Sequence, residues 1–127
     1  MSAILSFVTA PAGLSPLTQF VLTEVTGADG LYSLRAVENS AIRLFVLDAA
    51  IYLPDYSPEL SDEHCRALDL HTATDAMVLV VANPGETGTR MNLLAPIVVN
   101  VHTGACAQVI LDDEDWPLQA ELSLRSA

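Results

Sequence analysis

Apolar positions in this chain fall into short runs separated by turn-forming residues, with no long helical stripe. The densest pattern spans Met91 to Leu111. Ile97, Val98, Val99, Asn100, Val101 and His102 follow Pro96 as a β-branched run. Thr103 and Gly104 interrupt it, and Ala105 to Leu111 forms a second apolar run. Two such runs around a short break ending in Gly predict a β-hairpin. With Thr103-Gly104 as a two-residue loop, Val101 faces Cys106, Val99 faces Gln108 and Ile97 faces Ile110. The other face then sets Val98 against Val109 and Asn100 against Ala107. Both faces are largely apolar, so the hairpin is expected to be covered on both sides. Asn100 and Gln108 are the exceptions, and if buried their amides require partners, because an orphaned polar group costs about 1–3 kcal/mol.

The rest of the chain reads the same way. Ile4–Thr9, Gln19–Val25, Leu31–Ala36 and Ala41–Leu47 are strand-like, as is Ala76–Ala82. Pro11, Gly13 and Pro16 end the first. Asp29-Gly30 predicts a hairpin between the second and third, because both residues tolerate positive φ. Pro54 and Pro58 mark Ala49–Leu60 as a structured loop or a single helical turn. Ser61–Leu68 is the best helix, with Ser61 as N-cap and Asp62 and Glu63 in the first turn. Asn83-Pro84-Gly85 is expected to end the Ala76 strand, with a loop to Thr89. Trp116–Leu124 is a last strand or tail. About eight strands with one short helix predict a mostly antiparallel, all-β barrel or sandwich, and the length of 127 residues suits a single domain.

Composition narrows the function classes. The 51% hydrophobic content excludes a disordered chain. Apolar runs fall short of the roughly 18 residues a membrane helix needs. The amino-terminal apolar patch has no Lys or Arg ahead of it, which argues against a secretory signal and for the cytoplasm. Formal charge is −11, with 16 acidic residues and all five basic ones Arg. Such a chain repels a phosphate backbone, so no direct nucleic-acid binding is expected, and a basic protein partner is compatible. Without a secretory context, Cys65 and Cys106 read as buried reduced thiols.

Candidate chemistry is sparse. His64-Cys65 and His71 lack zinc-ligand spacing, and His102 adjoins a turn. Asp112–Asp115 lacks the glycine and distal glutamate of a calcium loop and reads as a solvated turn protecting a sheet end. No phosphate-binding, dinucleotide or nucleophile-elbow motif occurs. His102 and Cys106 point to opposite faces across the tight turn, which disfavours a catalytic pair. No cofactor is expected, and an enzyme has no support. Leu53-Pro54-Asp55-Tyr56 stands out: Pro54 stiffens the backbone and displays Asp55 and Tyr56 on a loop. Asp55 capping a turn while Tyr56 packs on the barrel is the alternative reading.

Three phrases, DAAIYLPDYSPEL (Asp48–Leu60), NLLAPIVVN (Asn92–Asn100) and QVIL (Gln108–Leu111), resemble in order and spacing the FliW flagellar assembly factors. Weaker similarity runs from about Ile4 to Leu124. The family's Gly-Leu-Pro-Gly-Phe phrase is reduced here to Gly13-Leu14 followed by Ser15, Pro16 and Leu17. Its usual Asp-Pro before the PDY phrase is Asp48-Ala49, and its extra strand ahead of the segment matching Ile4–Phe7 is not expected. The resemblance implies a single-domain, barrel-like, cytoplasmic regulatory protein that binds flagellin before export. When flagellin leaves, the free protein binds the RNA-binding translational repressor CsrA, and flagellin synthesis resumes. It carries over Pro54, Asp55, Tyr56, Asn92, Pro96 and Asn100 as motif residues for partner binding. The competing expectations are a barrel module with another protein partner and an enzyme of unknown class.

Overall fold

The computed structural model describes residues 2–8, 17–27, 29–39, 41–52, 60, 62–85, 88–109 and 120–121. Four strands come first: β1 (Ser2–Phe7), β2 (Gln19–Glu24), β3 (Leu31–Ala36) and β4 (Arg43–Asp48). Two short helices, α1 (Ala49–Tyr52) and α2 (Asp62–Ala67), and a 3-10 turn at Ala73–Asp75 lead into β5 (Ala76–Gly85). The chain then forms β6 (Gly88–Asn100), β7 (Ala105–Gln108) and β8 (Ala120–Glu121).

Strand alternation builds the interior. Leu5 and Phe7, Phe20 and Leu22, Leu34 and Ala36 point inward at period two, while Ile4, Ser6 and Arg35 point out. Phe7 meets Phe20 edge to face, with ring centroids 5.3 Å apart. The strands run β5-β4-β3-β2-β1-β7-β6, and β6 pairs back onto β5, which closes a seven-stranded barrel; β8 lies beyond β6. Every pairing is antiparallel except β1 with β7. That parallel seam is short: Ser6 N–H donates to Gly104 O and Val8 N–H to Cys106 O, each at 2.9 Å. It depends on Gly104, at φ +80°, where a Cβ would stand 2.7 Å from Ile4 O.

Two further apolar clusters coat the outside of β4 to β7. Leu47, Val80, Ala82, Met91 and Leu93 pack with Ala49 and Tyr52 of α1, and Val98 and Val109 pack with Leu68 after α2. Strands in this half are therefore buried on both faces, which explains their near-continuous apolar runs. The hairpin of β6 and β7 has the expected double coverage: Ile97, Val99 and Cys106 face the interior, and Val98 faces Leu68.

Its register differs from the sequence expectation. Ile97 pairs with Gln108, Val98 with Ala107 and Val99 with Cys106. The loop is Val101–Gly104, not Thr103-Gly104, and Val101 leaves the ladder for the surface. A shift of two residues preserves which face each side chain occupies, so the burial pattern could not reveal it. Asn100 decides it: its Oδ1 accepts His102 N–H (2.8 Å) and Thr103 N–H (3.3 Å), winding the wider turn, which Gly104 N–H closes onto Asn100 O. Ile110, expected opposite Ile97, lies outside the described residues.

β5 is also longer than expected. Asn83-Pro84-Gly85 continues the ladder, pairing with Arg90, Thr89 and Gly88. β6 begins at Gly88, where a loop was expected, because ladder bonds to β5 support a segment whose own propensity is turn-like. Between Leu79↔Ile97 and Val81↔Asn92 the register jumps, so that Leu93, Leu94, Ala95 and Pro96 bulge opposite Val80. Pro96, lacking an N–H, suits a place outside the ladder, and Gln108 Nε2 donates to Ala95 O at 3.3 Å. The Asp29-Gly30 hairpin forms with a longer loop, closed by Val25 N–H to Leu31 O. α1 is the single helical turn expected within Ala49–Leu60, and α2 is the helix expected within Ser61–Leu68. The last strand is limited to Ala120–Glu121 among the described residues.

Candidate partner-binding end of the barrel

Register places five features at one end: the start of β1, the β2–β3 turn, the end of β4, the start of β5 and the β6–β7 turn. The 49–75 connection leaves the barrel and returns to it there. Pro54, Asp55 and Tyr56 belong to this connection but lie outside the described residues, as do Ser61 and Asp112–Asp115.

The base of that loop is well defined. Asp48 Oδ1 accepts Ala50 N–H at 3.0 Å and starts α1. α1 sits on the β2–β3 turn: Tyr52 Oη donates to Asp29 O at 2.9 Å, and Asp48 N–H donates to Gly30 O at 2.8 Å. Gly30, at φ +82°, permits this approach, since a Cβ there would stand 2.9 Å from Ile51 Cδ1. Ile51 remains 55% exposed. Burial raises the Tyr32 phenol above its ordinary value, and the carboxylates of Asp48, Glu24 and Asp29 add to the effect, so negative potential gathers here.

The other half is held by Asn100 and Asp75. α2 ends in a Schellman motif, with Leu70 N–H on Cys65 O (2.8 Å) and Asp69 N–H on Arg66 O (3.2 Å). Asp69 takes the left-handed position that glycine usually fills, at φ 56°. Asn100, 2% exposed, donates through Nδ2 to Leu68 O at 2.7 Å and Asp69 O at 3.2 Å. Its amide thus joins the helix end to the hairpin turn. Asp75 Oδ2 accepts His71 N–H and Thr72 N–H, both at 2.9 Å, and Oδ1 lies 3.0 Å from His102 Nε2. The two backbone donors, with help from His102, lower its carboxyl to about 2. Asp75 was passed over in the sequence, although Thr72-x-x-Asp75 carries the signature of a capping box.

Beside α2, Asp62, Cys65, Arg66, Asp69, Leu70 and His71 line a concavity of about 560 Å³. Among the described residues no group of three or more His, Cys, Asp or Glu is placed to hold a metal ion. Cys106 is fully buried, and desolvation pushes its thiol up to about 12, which suits packing rather than nucleophilic attack. Of the motif residues, Asn100 and Pro96 lie inside the fold, and Asn92 pairs through its backbone with Val81. No described helix is long and apolar enough to cross a membrane.

Fold and site together define a small closed β-barrel with a helical connection folded over one acidic end. A family model described as "FliW protein" matches residues 1–122. The flagellar assembly factor FliW of Ruminiclostridium cellulolyticum is 32% identical over 119 residues, covering 91% of this chain and 80% of the relative. The one from Caldicellulosiruptor bescii is 38% identical over 90 residues, covering 69% of this chain and only 59% of the relative. A crystal structure of the flagellar assembly factor FliW superposes with a TM-score of 0.88 at 26% identity, covering 98% of this chain and 88% of that one. The chain belongs to the FliW family.

Proposed function

We propose that this protein is a cytoplasmic flagellar assembly factor that binds flagellin and, once flagellin is exported, binds CsrA and relieves its repression of flagellin synthesis. The family match over residues 1–122 carries the reading. The acidic end supports its CsrA half. An acidic protein docked on a basic RNA binder adds negative potential near the RNA path and weakens RNA binding even without covering the RNA site. The protein reaches RNA only through that partner.

Asp55 and Tyr56, on the loop rooted in α1, are the proposed contacts, with Pro54 stiffening it. Asn92, Pro96 and Asn100 contribute by shaping the bulge and turn that border this end. Calorimetric titration with each host partner, alone and in the presence of the other, tests the reading. The two complexes are expected to exclude each other, the CsrA complex to weaken with salt, and Tyr56→Ala to weaken at least one by about 1–2 kcal/mol without unfolding. A folded sample that binds neither partner defeats the assignment; simultaneous binding of both defeats only the switch.

A further inference from the structure

The outer faces of β4 to β7 are covered by the two apolar clusters described above; among the described residues no such cluster covers the wall of β1, β2 and β3. Three large apolar side chains stand out on or beside it: Ile4 at 59% exposed, Val8 at 51% and Val37 at 48%. One cross-strand row runs Ile4↔Val21↔Arg35↔Arg43. Arg35 and Arg43 are directly opposed. Ala36 N–H donates to Ile42 O at 3.1 Å, so the preceding pair, Arg35 with Arg43, is of the type that brings side chains closest. Like charges so placed oppose pairing of the strands. Among the described residues neither arginine forms an ion pair with a carboxylate. Arg43 instead lies over the Phe45 ring, 5.0 Å from its centroid.

We infer that this wall is a docking surface for a protein segment presenting carboxylates beside apolar side chains. Two exposed, directly opposed guanidiniums on a chain of charge −11, set in line with Ile4 and Val21, are complementary to that chemistry and to no cationic surface. The inference rests on the functional reading above: of its two partners, RNA-binding CsrA has the wrong sign for this wall, which leaves flagellin. The wall meets the acidic end at Ile4, whose carbonyl abuts Gly104 of the β6–β7 turn. A large partner on the wall therefore overhangs that end, which gives mutual exclusion a steric basis.

The test uses the whole chain, with host flagellin and host CsrA as probes in calorimetry. Arg35→Glu/Arg43→Glu is expected to weaken flagellin binding at least tenfold and leave CsrA affinity within twofold. Arg35→Lys/Arg43→Lys retains most flagellin binding. Arg35→Glu alone sets an opposite charge across from Arg43, so its urea midpoint is expected to equal or exceed that of the wild type while flagellin affinity falls. Unchanged flagellin affinity in the double glutamate variant overturns the inference, as does an equal loss of both partners or a loss that tracks unfolding. Sedimentation showing that the wall holds a second copy of the chain, with flagellin binding intact in the variant, also overturns it. A wild-type protein that binds neither probe overturns the functional reading, and the inference with it.

Discussion

The Asn100 amide nitrogen lies 2.7 Å from the Leu68 carbonyl, joining residues 32 positions apart at the point where the barrel hairpin meets the helical connection. The same side chain takes a second carbonyl, at Asp69, and accepts two turn amides. Asn100→Ala orphans all four groups and is expected to cost about 2–4 kcal/mol, read as a lower urea midpoint. Asn100→Asp directs a carboxylate at two carbonyl acceptors, which raises its pKa in the folded state. Measured against wild type at each pH, its deficit is smallest near pH 4 and grows toward pH 7.

Asp75 makes acid sensitivity local. Its carboxyl falls from 3.8 to about 2 on folding, because His71 and Thr72 N–H groups, and then His102, favour the charged form. A lowered folded value contributes stability that is complete above the unfolded pKa and is lost as pH falls through the folded one. The advantage of wild type over Asp75→Asn is therefore expected to be full above about pH 4 and to vanish near pH 2. Urea midpoints across that range test this, and an advantage independent of pH contradicts it.

The two thiols separate by reactivity. Cys106 is fully buried with its pKa pushed up to about 12, whereas Cys65 is half-buried on α2. A maleimide at neutral pH is expected to label Cys65 alone in the native protein and both cysteines in urea. Peptide mapping of the labelled chain identifies the site.

Gly104 is the least replaceable turn residue. Alanine there meets both a positive φ and the Ile4 carbonyl at 2.7 Å, at the parallel seam of β1 with β7. Gly104→Ala is expected to cost at least about 1–3 kcal/mol, with faster amide exchange in β1 and β7 than elsewhere.

Fold legibility followed the kind of constraint at each segment. Leu31–Ala36 was readable to the residue, its start marked by the Asp29-Gly30 turn signal. β6 and β7 were readable as a doubly covered hairpin, and the demand that Asn100 and Gln108 find partners is met. The turn width was not readable, because a two-residue slip keeps every side chain on its face. Asn83–Gly85 looked like a strand end because Asn, Pro and Gly carry local turn signals, and pairing with Gly88, Thr89 and Arg90 of β6 overrode them. The arginine wall was invisible for a related reason: Arg35 and Arg43 are eight positions apart, and only the register of β3 with β4 sets them face to face.

The sequence by itself determined the strand-rich class, the acidic balance and the family, because alternation, charge and the three motif phrases are local properties of the chain. Ring closure, the bulge at Leu93–Pro96 and the roles of Asn100, Asp75 and the arginine pair were decided by tertiary structure. Each depends on a contact between distant segments, whose geometry is set by pairing register and packing rather than by the residues on either side.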